Sequence, residues 1–292
     1  MASKIYIFVP INIGRNLEKL LKRKAPDAEF ISPTSSAEEL KYFEKAFGKP
    51  SGDTLPDLVV TLQPEILKYF EDPAVSEHYG TIEEGFPPLR PDLRALGFES
   101  DRPLLRPLLF TPVIMLVNKE LENYPVSWMD LLDERFAGRV IAPDAQTPVS
   151  MAFDFLMRDM AGAAADAFLQ KLKFSGMPFD VITGVNKGYY DVGLLPLPFT
   201  RYSMGKNLDT VIPAEGSLVL PQMVFLRKDA SPESLSIAGE LFGKNIQRFF
   251  SQLGALIPVI AEVSIPTELK QDLNFYWKGW TWYRKLALQQ AQ

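Results

Sequence analysis

The first sixty residues alternate apolar blocks of two periods. Lys4 to Val9 (KIYIFV) is a continuous apolar run and predicts a buried strand. Pro10-Ile11-Asn12 reads as the loop after it. Leu17, Leu20 and Leu21 return at helical spacing, with Asn16 as cap. Lys22, Arg23 and Lys24 favour the C-terminal end of that helix, and Pro26 stops it. Glu29-Phe30-Ile31 predicts a second short strand. Ser36 and Glu39 form a capping box ahead of a helix that carries Leu40, Phe43 and Phe47 on one side. Asp57 to Thr61 (DLVVT) is a third strand, apolar enough to be covered on both faces. This alternation implies a parallel α/β sheet.

Phe86 to Pro112 is proline-rich and reads as a loop and strand crossing between two lobes. Pro112 to Asn118 (PVIMLVN) is the strand that enters the second lobe. Ser127, with Asp130 three residues on, caps a short helix whose apolar face is Trp128, Leu131, Leu132 and Phe136; Gly138 ends it. Arg139 to Ala142 is a strand closed by Pro143. Thr147 then caps a helix with Pro148 in its first position, where a missing N–H costs nothing, running to about Met160. A further helix is expected over 164–174, and strands at Asp180 to Ile182 and Asp191 to Leu195. The chain returns near Ile212 to Pro221, Val224 to Leu226 is a strand, and Ser231-Pro232-Glu233 opens a long helix. Thr267 to Gln292 reads as a helix bearing Trp277, Trp280 and Trp282, aromatics that suit lobe packing better than a cation cage. There is no internal repeat.

Three stretches together resemble the type 2 periplasmic binding proteins, the solute receptors of ABC importers, and within them the group that includes ferric-ion, thiamine and polyamine receptors. Ser127, Trp128, Asp130, Leu131, Leu132, Asp133, Gly138, Arg139, Pro143 and Asp144 match the segment S-W-x-D-L-L-D, a few residues, G-[KR], an apolar strand and P-D. Val211 to Gly216 (VIPAEG), followed by Leu220-Pro221, is similar to the return into the first lobe. Phe249 to Val259 (FFSQLGALIPV) resembles the terminal G-x-x-P-V signature. The resemblance implies a two-lobed α/β fold, each lobe a mixed, mainly parallel sheet flanked by helices, with a cleft between lobes. Residues 1–111 and 214–292 would form lobe 1 and 112–213 lobe 2, with the C-terminal helix packing on either. It also implies the membrane subunits of an importer as docking partner.

Composition narrows the function. At 292 residues the chain is long enough for a large core. A net charge of −5 gives no reason to expect nucleic acid or an anionic membrane surface as partner. No apolar run is long enough to span a bilayer. With no cysteine there is no disulfide and no thiolate ligand or nucleophile. The single histidine, His78, lies in a polar stretch and reads as a surface residue, so a multi-histidine zinc site is excluded. No carboxylate pair stands out by spacing, and neither an enzyme nor a cofactor is expected. The N-terminus, Met-Ala-Ser-Lys, runs straight into a strand. Either a leader was trimmed and the protein works outside the cytoplasm, or Met1 is the true start and it works inside.

In open α/β sheets, ligands sit at the carboxyl ends of strands beside helix starts. That rule selects Asn12, Thr61, Gln63, Thr111, Thr147, Ser150, Thr200 and Arg201. Each neutral group also has the reading of a cap or turn residue that satisfies its own backbone. Arg201 either neutralises an anion or is simply solvated. Tyr189-Tyr190 resembles the tyrosine pair that holds ferric ion in some relatives, but it precedes a strand where theirs follows one. Gly184 to Gly188 (GVNKG) lacks the spacing of a phosphate-binding P-loop. The leading expectation is a solute-binding protein that closes two lobes over a small polar or anionic ligand. The hinges would lie near Pro107–Pro112 and Pro213–Pro221. The alternatives are a biosynthetic enzyme on the same fold and a ligand sensor or carrier without a transporter.

Overall fold

The computed structural model describes residues 3–82, 85–203, 207–269 and 273–289. In chain order its regular elements are β1 (Lys4–Ile7), α1 (Ile11–Lys22), β2 (Glu29–Ile31), α2 (Ser36–Phe47), β3 (Leu58–Thr61), α3 (Ile66–Glu71), α4 (Pro73–Ser76), α5 (Pro91–Ala95) and β4 (Arg106–Asn118). There follow β5 (Val140–Pro143), α6 (Pro148–Ala161), α7 (Ala164–Leu169), β6 (Lys173–Ser175), α8 (Pro178–Asn186), β7 (Val192–Pro196), β8 (Leu208–Val211) and β9 (Ser217–Leu226). The last elements are α9 (Pro232–Phe242), α10 (Lys244–Gly254), β10 (Ile257–Pro258), β11 (Phe275–Tyr276) and α11 (Trp280–Gln289). The chain forms two units. Unit 1 holds Met1–Phe110, Pro221–Gln271 and Lys278–Gln292; unit 2 holds Thr111–Leu220 and Asp272–Trp277.

In unit 1, β2, β1 and β3 are parallel neighbours and β9 joins β3 antiparallel, with Leu58 opposite Leu226 and Thr61 opposite Met223. Every residue of β3 is buried, as its unbroken apolar run requires. The core is aromatic: Phe70 stacks on Phe225 with ring centroids 3.8 Å apart, and the Tyr79 ring stands edge-on to Phe70 at 4.7 Å. Gln247 of α10 is fully buried yet satisfied. Its amide donates to the carbonyls of Leu108 and Leu241 and accepts from Val259 N–H, tying β4, α9 and the residue after β10 together.

In unit 2, β5 lies between β6 and β7 and is parallel to both, while β4 runs antiparallel to β7 and β8. Trp128 is buried and packs on Phe153 of α6 at 5.6 Å. Gly193 lets α8 lie close on β7: a Cβ there would stand 2.6 Å from Cγ1 of Val181. The strands β4 and β9 each pass from one unit to the other, at Phe110/Thr111 and Leu220/Pro221. Each changes partner around a proline that removes a ladder donor. β4 pairs with β10 through Phe110 and with β7 from Val113, either side of Pro112. β9 pairs with β11 through Leu218 and with β3 from Met223, either side of Pro221.

Several expected boundaries move. The two units meet along the chain at Phe110/Thr111, within β4, and at Leu220/Pro221, within β9. The helix expected from Asn16 begins at Ile11, since Ile13 already joins Leu17 and Leu21 on its buried face. The cap of α2 is Ser35, and Glu38 reaches back to Thr34, so the box lies one residue earlier. The stretch after Ser127 forms two 3-10 turns, Met129–Leu132 and Glu134–Phe136. Asp180 to Ile182 is not a strand but lies in α8. There Pro178 starts the helix, Asp180 sits in its first turn, and Val181, Ile182 and Val185 form the buried stripe. Lys173 and Phe174, expected as the end of a helix, instead lie in the edge strand β6. The helix after Ser231 is broken at Gly243 into α9 and α10, and the tail contains a 3-10 turn and β11 before α11.

Candidate functional site

In unit 1 the parallel strands β1 and β3 end on the same side. β1 runs almost directly into α1, whose cap is Pro10, so Asn12 lies in the first turn of that helix. Its side chain lies outside the described residues. After β3, Thr61 and Gln63 are both fully buried, and Gln63 N–H donates to Thr61 Oγ1 at 2.9 Å. The Thr61 hydroxyl donates to Oε1 of Glu39 at 2.5 Å, and the same oxygen accepts from Tyr6 Oη at 3.0 Å. Glu65, two residues beyond Gln63, is a second buried acid.

These two carboxyls were not selected from the sequence. The capping-box pattern assigns Glu39 to a cap; the signal of its burial is its spacing four residues before Phe43, on the face that also buries Phe47. Burial holds the Glu39 carboxyl well above the usual carboxylate range, against the two hydroxyl bonds that favour its charged form, and nearby Glu65 adds to the rise. Burial likewise pushes Glu65 up to about 7.

In unit 2 the C-terminal ends of β5, β6 and β7 share one side because the strands are parallel. Thr147 and Ser150 follow β5. Thr147 Oγ1 caps α6 by accepting from Ser150 N–H and donates to Asp144 O at 2.7 Å, while Ser150 Oγ donates to Pro143 O at 2.7 Å. Thr200 and Arg201 follow β7 in the 3-10 turn Leu197–Ser203, and the buried Thr200 hydroxyl donates to Leu197 O. Thr111 belongs to the same end, because Val113 pairs with Pro196, the last residue of β7. Its hydroxyl is buried and has no partner among the described residues. The end of β6 adds what the sequence reading did not select: the exposed Phe179 and Tyr202 rings stand edge to face at 5.0 Å.

The structure therefore gathers the selected residues of each unit at one end of its parallel strands. Most of their hydroxyls are occupied by local backbone or by Glu39. Tyr189-Tyr190 lies at the opposite end of β7, before its first residue. The Tyr190 ring lies against Gly184, and Tyr189 is exposed beneath the Lys187 ammonium. His78 is exposed. Among the described residues no group of three or more His, Cys, Asp and Glu could hold a metal ion, and no helix is long and apolar enough to cross a membrane.

Unit 1 also contains a cavity of about 250 Å³ walled by Phe86, Leu89, Arg94, Arg102 and Arg106. It lies away from the Thr61 loop. Gly80 N–H, just before its wall, bonds to Leu226 O opposite the first residue of β3. Arg94 pairs with Glu99 and Arg102 with Glu71, so those guanidiniums are engaged within the protein.

The sequence profile of bacterial extracellular solute-binding proteins matches residues 53–285. No curated protein matches the sequence. Among solved structures, the apo ferric ion-binding protein A of Pasteurella haemolytica superposes with a TM-score of 0.76 at 12% identity, covering 99% of this chain and 95% of that one. The ferric binding protein from Campylobacter jejuni gives 0.72 at 14% identity, covering 99% and 97%. Trichodesmium IdiA (FutA), in complex with iron and citrate ligands, gives 0.68 at 15% identity, covering 98% and 96%. The fold is that of the type 2 periplasmic binding proteins across nearly the whole chain. The family consists of receptors rather than enzymes. By the match of its family profile over residues 53–285, this chain belongs to the bacterial extracellular solute-binding proteins.

Proposed function

We propose that the protein captures one small polar or anionic solute between its two units by hinge closure and delivers it to the membrane subunits of an ABC importer. The observation that carries this reading is the gathering of Thr111, Thr147, Ser150, Thr200 and Arg201 at one end of the unit 2 sheet, beside the start of the 14-residue helix α6. That helix start supplies N–H donors and positive dipole to an oxyanion or carboxylate. In unit 1 the corresponding end is the loop Thr61–Gln63. Closure would turn on β4 and β9, the two strands that pass between units beside Pro112 and Pro221. A solute shifts such an equilibrium only by binding the closed state better than the open one, so it must contact both units.

The similar structures named for ferric ion raise the question of iron. Here Tyr189-Tyr190 lies at the wrong end of β7 to join the other candidates, which favours a polar organic solute or oxyanion over bare ferric ion. The test is a thermal-shift and calorimetric screen with ferric chloride, ferric citrate, phosphate, sulfate, small carboxylates and polyamines. The reading expects one saturable ligand at one-to-one stoichiometry. Binding by that ligand to a Thr147→Ala/Ser150→Ala double variant with unchanged affinity would remove the α6 start from the site.

A further inference from the structure

We infer that Glu39 is a positioning residue: through the Thr61 hydroxyl it sets the shape of the loop Thr61–Gln63, and Thr61 is a bracket rather than a solute contact. The inference rests on the proposal that this loop faces the solute.

The geometry starts from the strand pairing. Tyr6 lies opposite Val59 in neighbouring parallel strands, and Thr61 is two residues beyond Val59 on the same strand face. Tyr6 and Thr61 therefore point to the same side of the sheet, where α2 presents Glu39. One carboxyl oxygen, Oε1, collects both hydroxyls, at 3.0 Å from Tyr6 and 2.5 Å from Thr61. The helix, β1 and the end of β3 are thereby tied at a single atom. Thr61 is then used on both sides: its proton goes to Glu39 and its oxygen receives Gln63 N–H at 2.9 Å. With no exposed surface, the side chain has nothing left to offer a solute.

As a purely structural device Glu39 is a poor choice. It is fully buried, and its second oxygen, Oε2, has no partner among the described residues. A half-satisfied buried carboxyl costs more than an apolar side chain of similar size. What it does supply is direction: a planar acceptor fixes where the Thr61 hydroxyl points, and hence where the next two residues turn. The rise in its proton affinity with burial agrees with a neutral carboxyl whose Oε1 accepts both hydroxyls.

The experiment reads the loop without any solute, so its failure and the failure of the receptor proposal remain distinguishable. Amide hydrogen exchange is followed at Gln63 and, as reference, at Val59 and Val60 in the wild type and in Glu39→Gln, Glu39→Leu and Thr61→Val. Glutamine keeps an acceptor oxygen and is expected to retain Gln63 protection within about threefold. Glu39→Leu and Thr61→Val are each expected to lower it at least tenfold with Val59 and Val60 unchanged, and the double variant should be no worse than either single one. Unchanged Gln63 protection in Thr61→Val or Glu39→Leu would overturn the inference. So would a parallel fall at all three amides, which marks a general loss of packing, or failure of glutamine to preserve protection. If Glu39→Leu does not fold, Glu39→Met, which also lacks the acceptor while Thr61 is kept, takes its place with the same expected fall at Gln63.

Discussion

The Ser127 hydroxyl donates to Glu215 Oε1 at 2.5 Å across 88 residues of sequence, and the second carboxylate oxygen accepts Trp128 N–H at 3.0 Å. One side chain thus locks the Ser-Trp turn to the Ala-Glu-Gly turn that precedes β9, and the Trp128 indole N–H adds a bond to Gly216 O at 2.9 Å. Glu215→Ala should lower the stability of the protein by about 1–3 kcal/mol, because it strips two donors of a charged acceptor. Ser127→Ala should cost less, since the Trp128 bond survives. Urea denaturation of the two single variants and the double variant measures the coupling; strictly additive losses would show that the pair does not act as a unit.

Gly216 is held in the left-handed region at φ +100, and a Cβ there would stand 2.6 Å from the Phe275 carbonyl carbon. Gly216→Ala adds backbone strain to a backbone clash, so its cost should exceed the roughly 1 kcal/mol of an ordinary misplaced alanine. The pairing of Phe275 with Ser217 should open with it. Faster amide exchange in β11 together with a lower melting temperature is the expected result.

The stacked pair Phe70 and Phe225 lies at the centre of unit 1. Phe225→Ala should cost about 3–5 kcal/mol, through lost transfer energy and the cavity left behind. Phe225→Leu should recover much of it. Chemical denaturation monitored by circular dichroism distinguishes the two, and equal losses would point to the aromatic stacking itself rather than to volume.

Burial raises the Glu65 carboxyl from 4.5 to about 7. Between those values the folded protein holds a proton that the unfolded chain has released. Stability conferred by the neutral acid is therefore full below about 4.5 and is lost as pH rises through about 7. Glu65→Gln removes this dependence. Relative to wild type it should gain stability on going from pH 5 to pH 8, by up to about 3 kcal/mol. Glu39, raised by its own burial, acts with the same sign. A wild-type-to-variant difference that is flat between pH 5 and pH 8 would contradict the assignment.

The long-range frame was legible because its signals are local and redundant. The buried strand β3, the Pro148 helix start with its Thr147 cap, and the Ser231 cap each rest on a turn residue next to an apolar run, and each stands in the structure. Ambiguity arose where the two periods compete. Val181-Ile182 suits a strand by composition but joins a helix, because Pro178 supplies a helix start and Val185 completes the stripe. At the candidate site, the rule of strand ends selects loops but does not show how their hydroxyls are used. The proton of Thr61 goes to a residue 22 positions away, and that of Ser150 to the carbonyl of Pro143; only tertiary packing fixes either choice. Glu39 was hidden for the same reason, since a glutamate near a helix start is read first as a cap.

The central claim, reversible capture of one small solute, is tested most directly by equilibrating the protein with the sub-kilodalton fraction of bacterial cell extract and the defined solute panel, then comparing native and denatured masses. One non-covalent mass excess per chain is expected, lost on denaturation and accompanied by a rise in melting temperature. A protein that retains nothing from extract or panel, and shows no thermal shift with any of them, would contradict it.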